Sequence, residues 1–103
     1  MGIIHGVRPF HEIQAILRQQ MNELRERYAV KSLHIFGSYA RADQTPTSDV
    51  DILVEFETKP GLLKFLNLES YLSDLLGVEV QLTTIEALRP EIREQALREA
   101  VSI

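Results

Sequence analysis

The sequence has no cysteine. That excludes disulfide cross-links, thiolate nucleophiles and thiolate-bound metal, and it fits a reducing compartment. Basic charge is not in surplus either: 11 Lys and Arg against 15 Asp and Glu give a net charge of −4 at pH 7. A broad nucleic-acid surface is normally basic and gathered on one face, so none is expected, with local basic clusters left open. No apolar run approaches a membrane span, and the run in MGIIHGVRPF is too short for a signal peptide. Internal repeats, low-complexity tracts and interdomain linkers are missing too. The expectation is a soluble cytoplasmic protein with no membrane association. At 103 residues, 45% of them hydrophobic and 25% charged, the chain is expected to form one domain over 1–103. It has room for one core but not for a separate substrate domain.

What is there centres on Leu33 to Glu55, LHIFGSYARADQTPTSDVDILVE. It reads as an apolar strand, a Gly-Ser turn opening a short helix, a polar loop, and a second apolar strand with Asp49 and Asp51. Carboxylates two apart on a strand share a face, because side chains alternate with period two. Val50, Ile52 and Val54 alternate against them, so this strand has a buried face. A buried, unpaired carboxylate costs roughly several kcal/mol unless a cation or a proton neutralises it. A divalent metal resolves that cost, and hard oxygen ligands without Cys or a close His pair suit Mg²⁺ or Mn²⁺ better than Zn²⁺. Upstream, Gly37 allows close backbone approach to a ligand, and N–H groups at a helix start bind phosphate oxygens. Ser38 adds a hydroxyl, and Arg41, one turn on, offers a guanidinium to a phosphate tail or to a surface salt bridge. Together these residues describe a site for a metal-bound nucleoside triphosphate.

Gly37 and Ser38, ten intervening residues, then Asp49 and Asp51 resemble the signature of the polymerase-beta-type nucleotidyltransferase superfamily. The runs GSYARADQTPTSDVDILVEF and GLLKFLNLESYLSDLLG resemble its smallest branch, the minimal nucleotidyltransferases, which include the antitoxins paired with HEPN-domain toxins. The likeness extends from about Leu33 to Leu88. It implies that Gly37 and Ser38 hold the triphosphate of ATP and that Asp49 and Asp51 bind two Mg²⁺ ions. It also implies an antitoxin that adenylylates a tyrosine of a HEPN-domain ribonuclease toxin.

Elsewhere, Ile13, Ile16, Leu17, Met21, Leu24 and Tyr28 form one helical stripe between about Pro9 and Tyr28, read as core packing. A turn over Ala29 to Ser32 would deliver the first strand. The loop Ala42 to Ser48 has turn composition, with Ser48 orienting Asp49. Leu62, Leu63, Leu66, Leu72, Leu75 and Leu76 suit a helix that Gly77 ends in a left-handed cap. Val78, Val80 and Leu82 alternate as a third strand. Thr83 and Glu86 have capping-box spacing, and Pro90 starts a last helix through about Val101. The expected fold is α/β (α+β), a small mixed sheet with a possible extra edge strand. Helices packed mainly on one face would leave the carboxylate face as a cleft, and the resemblance implies the same fold.

The family pattern places a third carboxylate on the third strand, where this chain has Gln81. A glutamine carbonyl can coordinate Mg²⁺ weakly, but the amide carries no charge and cannot be a general base. Glu79 shares a face with Gln81 but lies roughly 6.6 Å along the strand. Glu55 shares parity with Asp49 and Asp51 nearer the strand end. Three functions follow: nucleotidyl transfer to a protein, docking on a partner without chemistry, or transfer to a small molecule with a homodimer supplying the acceptor site. Tyr39 is open between base stacking and packing. His5 and His11 fit no standard metal motif, His34 is read as satisfied on a strand face, and REQALREA as a solvated helix face.

Overall fold

The computed structural model describes residues 9–103; His5 and most of the MGIIHGVRPF segment therefore lie outside the described residues. The elements run α1 (Phe10–Tyr28), β1 (Val30–Phe36), α2 (Ser38–Arg41), β2 (Val50–Phe56), α3 (Leu62–Leu76), β3 (Val80–Thr83), α4 (Pro90–Glu99) and β4 (Val101–Ser102). The sheet order is β3-β2-β1-β4. β1 pairs antiparallel with β2 and β4, and β2 pairs parallel with β3, as the mixed-sheet expectation required.

α1 forms where the apolar spacing predicts it, and Ile13, Leu17, Leu24 and Tyr28 are buried, so its stripe is core. It packs with α3, whose Leu68, Leu72 and Leu76 are buried, against Val30, Leu33, Ile35, Val50, Ile52 and Val54 of the two central strands. Gly77 ends α3 in the left-handed region at φ 72°, where a side chain would be strained.

Several boundaries differ from expectation. β1 starts at Val30, so part of the expected Ala29–Ser32 turn is strand; Ala29 alone turns the chain, at φ 58°. β3 begins at Val80 rather than Val78. The last helix stops at Glu99 and its expected end becomes β4, the extra edge strand, paired Ile35 to Val101 and His34 to Ser102. The turn after β3 is capped by Thr84 instead of Thr83, through its Oγ1 and carbonyl to the Ala87 N–H. Leu62, Leu63 and Leu66 are exposed, because the core side of α3 begins only at Phe65 and Leu68. Periodicity alone cannot say which apolar residues of a helix overhang the sheet.

The second sheet face is partly covered. Leu53, in step with Asp49 and Asp51 along β2, is buried under Leu88 and Ala96, with Phe36 and Ile85 packed around it. α4 and the turn before it thus close the middle of this face, and the aspartates sit at its end. Two main helices on one face and one short helix on the other fit helices mainly on one face.

The outer edge of β3 is closed by α3 side chains. The Leu82 N–H donates to Glu69 Oε2 at 2.8 Å and the Val80 N–H to Ser73 Oγ at 3.0 Å. Such contacts blunt an edge that would otherwise invite strand addition. Glu69→Ala is expected to destabilise the fold by about 1–3 kcal/mol, the cost of leaving a part-buried donor unpaired. Urea denaturation would measure it, with light scattering reporting any self-association.

Candidate active site

The antiparallel register places Phe36 opposite Asp51, so the chain leaving β1 turns directly over the second aspartate. Gly37 takes φ 75° and ψ −149°, a conformation essentially reserved for glycine. A Cβ there would overlap Asp51 Oδ2 and stand 3.2 Å from its Cγ. The missing side chain is what lets the backbone of the Gly-Ser turn meet the carboxylate. Ser38 opens α2, a single turn whose Gly37 carbonyl accepts from the Arg41 N–H at 3.0 Å. The Asp43 N–H donates back to the Ser38 carbonyl at 3.0 Å and fixes the loop exit.

Asp49 precedes β2 and Asp51 is its second residue, and both are partly exposed. The parallel register sets Gln81 beside Asp51, and Gln81 Nε2 donates to Asp49 Oδ2 at 3.3 Å. Gln81 therefore occupies the place where a third carboxylate would complete an acidic cluster. Among the described residues no group of three or more His, Cys, Asp or Glu could hold a metal. Neither rescue candidate reaches the pair. Glu79 is exposed, its carbonyl used by the Val50 N–H at 2.9 Å. Glu55 lies four residues beyond Asp51 and accepts from Ser32 Oγ at 2.6 Å.

Asp51 is held above the ordinary aspartate range, first because burial disfavours its charged form, next because Asp49 is beside it; Arg41 opposes the shift. A desolvated carboxylate next to another of the same charge is a site that a cation relieves. With the glycine turn packed directly on Asp51 and an oxygen-only donor set, the residues present fit a hard divalent ion held by Asp49 and Asp51.

Arg41 is in ion pairs. Its Nε donates to Asp43 Oδ2 at 3.2 Å and its Nη1 to Glu99 Oε1 at 3.1 Å. Neither acid was singled out in the sequence; Glu99 sits in REQALREA, whose i,i+4 contacts do form, Arg98 to Glu94 at 3.8 Å and Gln95 to Glu99 at 3.2 Å. Tyr39 is 2% exposed and packs in the core, which removes it from base stacking. Ser48 is a turn residue, accepting from the Thr45 N–H at 2.8 Å. His11 is exposed. His34 departs from expectation: its Nδ1 is buried with no hydrogen-bond partner on the sheet face that α4 covers.

A family model described as a nucleotidyltransferase domain matches residues 17–103. The chain belongs to the nucleotidyltransferase family. This nucleotidyltransferase is 48% identical over 92 residues to protein adenylyltransferase MntA of Thermococcus cleftensis, across 89% of this chain and 93% of the relative. A structure solved for a proposed minimal nucleotidyltransferase superposes with a TM-score of 0.77 at 35% identity, across 93% of this chain and 97% of that one. The antitoxin solved with a tri-AMPylated Shewanella oneidensis HEPN toxin superposes at 0.63 and 19% identity, across 87% of this chain and 70% of that one, a likeness of fold. The nucleotidyltransferase is thus of the minimal, adenylyltransferase kind. No helix among its described residues is long and apolar enough to cross a membrane.

Proposed function

We propose that this nucleotidyltransferase transfers AMP from ATP to a hydroxyl of a partner protein, a tyrosine of a HEPN-domain toxin, and thereby acts as its antitoxin. The observation that carries the reading is the seating of the glycine turn against Asp51 with Asp49 alongside, which joins a phosphate-binding loop to a cation-binding acid pair. The name of the Thermococcus cleftensis relative and the AMPylated toxin solved with a fold neighbour support a protein acceptor. A further toxin-antitoxin neighbour solved with AMP-PNP supports an adenine nucleotide.

On this reading the Gly37–Ser38 turn and Arg41 receive the triphosphate, and Asp49 and Asp51 hold Mg²⁺. Bound there, the metal would neutralise phosphate charge and polarise the α-phosphate. The acceptor oxygen forms a bond to the α-phosphorus, the bond from that phosphorus to the α,β-bridging oxygen breaks, and pyrophosphate leaves. Gln81 cannot take the hydroxyl proton, which therefore passes to solvent or to a group of the acceptor protein.

The Gln81 contact with Asp49 favours a second reading, docking without transfer. Transfer of label from α-labelled ATP with Mg²⁺ to the HEPN-domain partner separates the two. The expected result is label on the partner from the native chain, none with Asp49→Ala, and a rate about 10²-fold higher with Gln81→Asp, at the low end of general-base contributions. Label from Gln81→Asp alone would favour docking. No label from either, with a partner shown to bind, would sink the HEPN acceptor.

A further inference from the structure

Glu99 is the last residue of α4, with its side chain 23% exposed. The antiparallel pairing of Ile35 with Val101 fixes its position. Two residues onward from Ile35 is Gly37, and two residues back from Val101 is Glu99, so extending that register brings both to one level beside the nucleotide loop. The Ile103 N–H also donates to the Leu33 carbonyl at 3.0 Å, which anchors the end of the chain along β1. Both Glu99 carboxylate oxygens are engaged: Oε1 accepts from Arg41 Nη1 at 3.1 Å and Oε2 from Gln95 Nε2 at 3.2 Å. Arg41, a long side chain about half exposed, is thus gripped from two sides, by Glu99 and by Asp43 within its own loop. Nη2 takes no part in either bond. A free arginine would have to lose its rotamer freedom when a ligand arrives; a gripped one has already lost it.

We propose that Glu99 is a positioning residue for the nucleotide site: by holding Arg41 at the loop, it presents an ordered guanidinium to the triphosphate. This ties the end of α4 and strand β4 to nucleotide affinity. It rests on the reading of Arg41 as a phosphate contact.

The test is calorimetric binding of AMP-PNP with Mg²⁺ to the full chain, which needs no turnover. Glu99→Ala is expected to weaken binding by about two- to tenfold, the factor associated with immobilising one long side chain. Glu99→Gln, whose amide oxygen can still accept from Arg41, should recover part of the loss. Arg41→Ala should weaken binding at least as much as Glu99→Ala, and adding Glu99→Ala to it should cost nothing more. Unchanged or tighter binding by Glu99→Ala, with Arg41→Ala weakened, would overturn the proposal while leaving Arg41 as a phosphate contact. It would make Glu99 a bystander or a competitor for the guanidinium. Unchanged binding by Arg41→Ala would remove the contact and the proposal together, and no binding by the wild type would overturn the nucleotide site as well. Thermal melts report folding. Should Glu99→Ala fail to fold, Glu99→Gln carries the test, with weakening expected and no change overturning the proposal.

Discussion

Asp51→Asn is expected to lower AMP transfer on the order of 10³-fold, the scale of losing one group that stabilises transition-state charge. The same substitution should leave the metal-free protein at least as stable as the wild type at neutral pH, because it removes a desolvated charge lying next to Asp49. The pH dependence follows from linkage. Folding raises the Asp51 pKa, so the folded state binds this proton more tightly than the unfolded chain does. The stabilisation that results is fully present below the unfolded aspartate value, about 3.9, and is lost as the pH rises through the higher folded value. The Tm of metal-free wild type relative to Asp51→Asn should therefore fall on going from acid to neutral pH. At neutral pH, Mg²⁺ should raise the wild-type Tm and leave Asp51→Asn nearly unmoved. Parallel pH profiles for the two proteins would show that Asp51 is not desolvated, and equal Mg²⁺ shifts that it does not hold the ion.

Gly37→Ala should be the most damaging single-atom change at the site. The added methyl meets two costs: backbone strain at φ 75°, ψ −149°, of about 1–3 kcal/mol, and overlap with Asp51 Oδ2. Relief requires Asp51 to rotate away or the turn to peel off β2. Either movement separates the glycine turn from the acid pair. The expected outcome is a loss of about 2–4 kcal/mol in urea denaturation and transfer close to that of Asp51→Asn. Adding Asp51→Gly to Gly37→Ala should restore only the part of the loss owed to the overlap, since it vacates the space the methyl needs, and none of the activity. If the double variant stays as unstable as Gly37→Ala, backbone strain rather than the clash is responsible.

Much of this was written locally. The alternation of Val50, Ile52 and Val54 against Asp49 and Asp51 put both carboxylates on one face, because a strand repeats every two residues whatever surrounds it. Gly37 and Gly77 marked a turn and a helix end, since the left-handed backbone favours glycine. The helical stripe from Ile13 to Tyr28 and the start of α4 at Pro90 follow from periodicity and from the fixed φ of proline. By itself, then, the sequence determined the main elements, and the acid pair and glycine turn of the candidate site. Only the tertiary structure decided how they meet. Whether Val101 continued a helix or paired with Ile35 depended on a free strand edge 66 residues away in the chain. Tyr39 was settled as core because the sheet and helices closed over it, and Leu62, Leu63 and Leu66 as surface because α3 overhangs the sheet. Arg41 found Glu99, and Gln81 found Asp49, through pairings across β1, β2, β3 and β4. Periodicity fixes which face a residue occupies; which distant residue shares that face is fixed only when strands choose their neighbours and register.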